Sequence, residues 1–147
     1  MSVEAVVKAA LSWLGTPYRH QGSRKGVGCD CLGLVRGVWR ELYDTEPEDP
    51  GPYAADWAET GGGDRLMEAA KRHCREKPVA DLSPGDLVLF RWRPNAPARH
   101  AAIMVAPDRF IHAYQGQAVL ISALVPHWRR RIAGVFAFPP FCSGPRG

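Results

Sequence analysis

Gly26-Val27-Gly28-Cys29-Asp30-Cys31-Leu32-Gly33-Leu34-Val35 is the stretch on which the reading of the fold turns. It passes from a glycine-rich loop straight into a helix that runs from about Cys31 to Tyr43. Cys31, Val35, Val38, Trp39 and Leu42 share one stripe of that helix, while Arg36, Arg40 and Glu41 point elsewhere. Asp30 stands where an N-cap belongs. Cys31 therefore lies in the first turn, on the face that packs against the rest of the chain. There the positive end of the helix dipole and unpaired backbone N–H groups favour thiolate over thiol.

Upstream, Val3, Val6, Val7, Ala10, Leu11 and Leu14 recur at helical spacing, with Ser2 as a cap. Gly15 ends that helix and Thr16-Pro17 prevents its continuation. Residues 15–30 form a polar, glycine-rich loop that holds Tyr18, His20 and Gln21. Downstream, Pro47, Pro50, Pro52 and Gly61-Gly62-Gly63 mark residues 44–63 as a long loop, with a helical turn around Ala54 to Glu59. Asp64 caps a third helix reaching about Glu76. From residue 86 the pattern changes to short apolar runs separated by turn signals. These are Leu87–Phe90, His100–Val105, Arg109–Ala113, Ala118–Ser122 and Ile132–Phe138, with Pro107-Asp108 and Gln115-Gly116-Gln117 as hairpin connections. Helices first and an antiparallel meander second predict an α+β domain over residues 1–138, followed by a flexible tail, 139–147.

A chain of 147 residues with 46% hydrophobic and 23% charged residues is long enough for one domain with its own core. No apolar run approaches the roughly 20 residues needed to cross a bilayer. Glu4 and Lys8 interrupt the N-terminal apolar positions, so no signal peptide is expected and synthesis in the cytoplasm is. The net charge of +4 suits an acidic or polyanionic partner such as a cell wall, nucleic acid or membrane surface. Arg129, Arg130 and Arg131 are the only dense basic run and read as a solvated strand edge, so nucleic acid is not an expected partner. Cys29, Cys31, Cys74 and Cys142 show neither CxxC nor zinc-ribbon spacing. Reduced thiols are the default, and no metal or cofactor is expected.

His100 and His112 each fall inside a predicted strand, with Pro107-Asp108 nearly midway between them. A hairpin turning there places residue 112 opposite about 102 or 103, so the two rings become diagonal neighbours on one face. His112 can then hydrogen-bond the far nitrogen of His100, fix its tautomer and hold it toward Cys31. A thiolate, a histidine to take its proton and a third group to orient that histidine make a cysteine hydrolase. Taken singly, each is more often a packed, inert residue than a catalyst.

Five landmarks in order resemble the NlpC/P60 cysteine peptidases: Thr16-Pro17-Tyr18, Cys29 to Val35, Ser83-Pro84-Gly85-Asp86-Leu87-Val88-Leu89-Phe90, His100 to Val105, and Phe110-Ile111-His112-Ala113. The resemblance spans residues 1 to about 138 and is nearest in wording to the phage-tail and gene-transfer-agent branch. It implies a papain-like α+β fold with Cys31 as nucleophile, His100 as base and His112 as third polar residue. It also implies cleavage of peptidoglycan stem peptides, commonly beside γ-D-glutamyl linkages. Asp30 matches an acidic position that helps hold a substrate amine, and Tyr18 a tyrosine beside the nucleophile. Many members have serine directly after the nucleophile where this chain has Leu32, a departure that bears on recognition of a free N-terminus. In the phage-tail case the protein would be assembled with tail proteins and act at the cell wall. A non-catalytic tail or wall-binding module of the same fold, and an amidase or acyltransferase on other amides, are the alternatives.

Overall fold

The computed structural model describes residues 3–47 and 64–140. In chain order the elements are α1 (Val3–Leu11), β1 (Ser23–Arg24), β2 (Gly28–Cys29), α2 (Cys31–Tyr43), α3 (Arg65–His73), β3 (Arg75–Lys77), a 3-10 turn (Val79–Asp81), β4 (Leu87–Phe90), β5 (His100–Ala106), β6 (Arg109–Ala113), β7 (Val119–Ala123), α4 (Pro126–Arg129) and β8 (Ile132–Ala137). This is the α+β architecture expected, with helices α1 and α2 packed on an antiparallel sheet.

Its details depart from the expected meander. The six strands run in the order β3-β8-β4-β5-β6-β7, so the last strand returns to lie between β3 and β4. The third helix stops at His73, and residues 75–77 pair with β8 instead of extending it. Asp64 does not cap that helix with its side chain; its Oδ1 accepts from the Ala98 N–H at 2.9 Å. The loop before Cys31 carries the small β1–β2 ribbon. The arginine triplet closes the short helix α4 and the turn after it, so Arg129 is helical where a strand edge was expected. The helical turn expected at 54–59 and the residues 141–147 of the expected tail lie outside the described residues. Pro139 is tied down, its carbonyl accepting from the Tyr43 hydroxyl at 2.6 Å.

Period-two alternation sends the sheet's side chains to two different layers. Leu87, Leu89, Ala101, Ile103, Ile111 and Ala113 face α1 and α2, joining Val6, Ala10, Trp13, Leu34 and Val38 in the main core. Val88, Phe90, Ala102, Met104 and Phe110 face the other way and pack with Leu124 and Trp128. His100 and His112 share the parity of this second layer.

Two glycines of α2 explain how closely the preceding chain approaches it. A Cβ on Gly33 would collide with the Gly22 carbonyl, and one on Gly37 with the Trp13 ring. The helix thus offers a bare strip on which the loop and the end of the first helix rest. Ser83-Pro84-Gly85-Asp86 forms the turn into β4, with Gly85 at φ +90°, where a side chain would be strained. The Asp86 carboxylate closes that turn, accepting from the Ser83 N–H and from Lys77 Nζ at 2.7 Å.

Candidate active site

Cys31 is the first residue of α2, as expected, and Asp30 is its N-cap. Asp30 Oδ1 accepts from the Gly33 N–H at 2.7 Å, and Oδ2 accepts from the Gln21 N–H at 2.8 Å. With 2% exposure, this carboxylate is a structural clamp between the loop and the helix. The loop is also knit to β2: the Cys29 N–H donates to the Pro17 carbonyl, and the Arg19 N–H to the Cys29 carbonyl, each at 3.0 Å. Tyr18 is thereby held beside the helix start. Its hydroxyl is pushed up to about 12, first by burial and then by the neighbouring Cys31, Asp30 and Cys29.

The Cys31 sulfur is buried and receives hydrogen bonds from the backbone at Ala101 and Leu32. Burial, with the Asp30 carboxylate adding to it, raises the thiol to about 12 against the pull of those N–H groups. Desolvation thus opposes the pull of the helix N-terminus on this sulfur. Cys29, two residues earlier, is fully buried and likewise raised to about 12 by burial.

His100 opens β5 and His112 lies on β6. Ile103 pairs with Ile111 and Met104 with Phe110, a register that carries His112 opposite Ala102 and His100 opposite Tyr114. The predicted diagonal contact is present, with His100 Nε2 and His112 Nδ1 2.8 Å apart. His112 Nε2 in turn meets Ser122 Oγ of β7 at 2.8 Å. Burial, then the neighbouring His112, lowers His100 to about 3, and burial lowers His112 to about 4. Both rings are accordingly neutral near pH 7.

An aromatic shell accounts for that desolvation. Trp92, Tyr114 and Trp128 have ring centroids 5.3, 5.9 and 5.9 Å from His100, and Phe110 lies 4.7 Å from His112. The structure thus joins His100 to His112 directly and brings Cys31 against the backbone of the residue next to His100. Among the described residues no hydrogen bond joins the sulfur to either ring. Since Nε2 of His100 is taken by His112, Nδ1 is the nitrogen left to receive a thiol proton.

Ser122, Trp92, Tyr114 and Trp128 were not among the sequence candidates. Ser122 could have been found by extending the strand register one strand further. Tyr114 lies opposite His100 in the hairpin already predicted, whereas Trp92 and Trp128 carry no local signal, since Trp128 reaches the rings from a short helix that the sequence pattern did not announce.

A profile of the NlpC/P60 family matches residues 15–137. The chain belongs to the NlpC/P60 family. The murein DD-endopeptidase MepS/murein LD-carboxypeptidase of Escherichia coli (strain K12) is 31% identical over 120 residues, covering 81% of this chain and 54% of that protein. The gamma-DL-glutamyl hydrolase of Bacillus subtilis (strain 168) is 28% identical over 134 residues, covering 90% of this chain and 29% of that protein. The chain therefore spans about half the length of the former and less of the latter. Among solved structures, the NlpC/p60 domain of the peptidoglycan hydrolase SagA is similar with a TM-score of 0.62 and 24% identity, covering 94% of this chain and 100% of that one. An NlpC/P60 family protein from Bacillus cereus ATCC 10987 gives a TM-score of 0.69 at 22% identity, covering 95% of this chain and 41% of that one. These likenesses show the NlpC/P60 fold.

Proposed function

We propose that this protein is a cysteine peptidase that hydrolyses amide bonds of peptidoglycan stem peptides through a thioester on Cys31. The hydrogen-bonded His100–His112 pair, one residue from the backbone that holds the Cys31 sulfur, is the observation that carries this reading. Membership of the NlpC/P60 family, and relatives named as murein endopeptidases, support the substrate class.

The resting pair is a neutral thiol and a neutral imidazole. A lone thiolate or a lone imidazolium is penalised by burial, but formed together they compensate each other's charge. As the substrate carbonyl arrives, the S–H proton passes to His100 Nδ1 and the sulfur attacks the carbonyl carbon. The backbone N–H at the start of α2 and the Tyr18 hydroxyl stabilise the developing oxyanion. The C–N bond then breaks as His100 returns the proton to the departing amine. Water, giving a proton to the same nitrogen, hydrolyses the thioester and restores the thiol. His112 holds the ring in place throughout.

Asp30 holds two backbone N–H groups and lies 4.0 Å from His20 Nδ1, and Leu32 brings no hydroxyl, so the chain lacks one group that many members use for a free stem amine. Cleavage of glycan-attached stems or cross-bridges fits these residues better. The wording of the segment around Cys31 supports service in a phage-like tail that carries the enzyme to the wall. Mass spectrometry of products from defined muropeptides tests the reaction: the parent should release fragments that Cys31→Ala does not. Equal digestion by both would overturn the proposal, and absence of the protein from purified tail particles would overturn the tail role.

A further inference from the structure

We propose that Ser122 is a positioning residue, setting the direction in which protons point along the His100–His112 pair by accepting a hydrogen bond from His112 Nε2–H. This rests on the reading of Cys31 as nucleophile and His100 as base.

The argument is one of counting donors. A neutral imidazole has one N–H and one bare nitrogen, so each link in a chain of neutral rings fixes the next. His100 Nε2 lies 2.8 Å from His112 Nδ1, and His112 Nε2 lies 2.8 Å from Ser122 Oγ. If Ser122 accepts, His112 carries its proton on Nε2 and offers a bare Nδ1. His100 then donates from Nε2 and keeps Nδ1 bare, ready for the thiol proton. If Ser122 donates instead, every link reverses. His112 then donates from Nδ1, His100 accepts at Nε2, and its own proton sits on Nδ1. In that arrangement His100 cannot take a proton from sulfur. The arrangement that lets His100 take a thiol proton is therefore the one in which the terminal Ser122 hydroxyl accepts.

Placement in the sheet supports an assigned role. Phe110 pairs with Ser122 and His112 with Leu120, so Ser122 is the diagonal neighbour of His112 on the same face. That repeats the relation between His112 and His100 one strand further out. Three adjacent strands thus contribute one polar side chain each, in a line across a face otherwise occupied by Phe90, Phe110, Met104 and Trp128. An alanine would satisfy the packing there, but it would leave His112 Nε2 without its hydroxyl partner.

Two substrate-independent readouts test this on the full chain, using Ser122→Ala, Ser122→Thr and Ser122→Asp. The first is ring ¹⁵N NMR at pH 7, which reports the tautomer of each histidine. The parent and Ser122→Thr should show Nε2–H on both rings, and Ser122→Ala should show a mixture. The second is the pH profile of iodoacetamide alkylation at Cys31, with Cys31→Ala as the blank. Ser122→Ala should slow alkylation on the order of tenfold, the upper end for losing one neutral hydrogen bond. Ser122→Thr should restore the parental rate. Ser122→Asp can only accept when ionised; it should keep the tautomer and move the acidic limb of the profile up by about 1 pH unit. A parent with Nδ1–H on His100, or Ser122→Ala with parental tautomers and an unchanged profile, would overturn the proposal. Peptidoglycan digestion by Cys31→Ala would instead overturn the reading beneath it, leaving the tautomer result to stand by itself.

Discussion

The cysteine half of the site is drawn from residues 17–34 and is held by backbone: a capped helix start, a two-stranded ribbon and a carboxylate spent on N–H groups. The histidine half is drawn from three strands across residues 100–122 and is held by side chains passing hydrogen bonds from ring to ring to hydroxyl. Both halves are buried, but they fail differently. Close packing without room for a methyl group governs the first half. Charge governs the second, because neutral rings under an aromatic shell lose their arrangement once protonated. The same burial opposes ionisation of the Cys31 sulfur, so on the proposed mechanism its proton leaves for His100.

Removing one reacting group from each half should give the largest effects. Cys31→Ala should abolish release of muropeptides, since Cys31 is the thiol hydrogen-bonded to the backbone beside His100, whereas Cys29 is fully buried and Cys74 is the C-cap of α3. His100→Ala should lower kcat by at least about 100-fold, the usual scale of general acid–base catalysis. His112→Ala should fall between that variant and the parent, because it removes orientation and leaves the base. Rates measured beside circular dichroism melts separate these losses from unfolding. A fully active His100→Ala would remove the histidine half from the chemistry altogether.

Gly33→Ala probes the cysteine half through packing alone. The new methyl would meet the Gly22 carbonyl, which belongs to the loop clamped by Asp30, so backbone must move to admit it. A cost of about 3 kcal/mol in urea unfolding is expected, at the upper end for overpacking. Because the displaced loop also carries Tyr18, activity should drop further than the loss of folded protein explains. A variant as stable and active as the parent would show that this half is more pliable than its contacts imply.

How legible each half was in the sequence follows from the same difference. The start of α2 could be read to the residue, because Asp30, Cys31 and the apolar stripe are local signals with fixed helical spacing. The His100–His112 contact was also accessible, since one hairpin with a turn at Pro107-Asp108 determines it. Ser122 needed a second hairpin register, and the Trp92 and Trp128 walls needed the path of residues 91–99 and 124–131, which no periodicity encodes. The insertion of β8 between β3 and β4 was hidden for a related reason. Strand order depends on which edges remain open once the helices are packed, and a run such as Arg75-Glu76-Lys77 looks helical until β8 offers it a partner. At Cys31 the helix dipole is visible in sequence, while the depth of burial that opposes it is not.

Acid and alkali should separate the two halves by the smallest but most diagnostic effect. Folded His100 and His112 bind protons only well below the ordinary histidine range, near 3 and 4. Between about pH 6.5 and those values the unfolded chain holds more protons than the folded one, so stability falls as pH falls, and it is flat above about 6.5 as far as these groups are concerned. Each histidine contributes a slope of at most about 1.4 kcal/mol per pH unit within that window. Cys31 has the opposite sign. Its folded thiol keeps its proton up to about 12, above the ordinary value of 9, so the unfolded chain loses its proton first and stability falls as pH rises beyond about 9. Urea midpoints at pH 7, 5 and 10 for the parent, His112→Gln and Cys31→Ser should show the acidic slope reduced in the first variant alone and the alkaline slope reduced in the second alone. Acid and alkaline slopes equal to the parent's in both variants would mean that titrating groups elsewhere control stability and that the two halves are not electrostatically distinct.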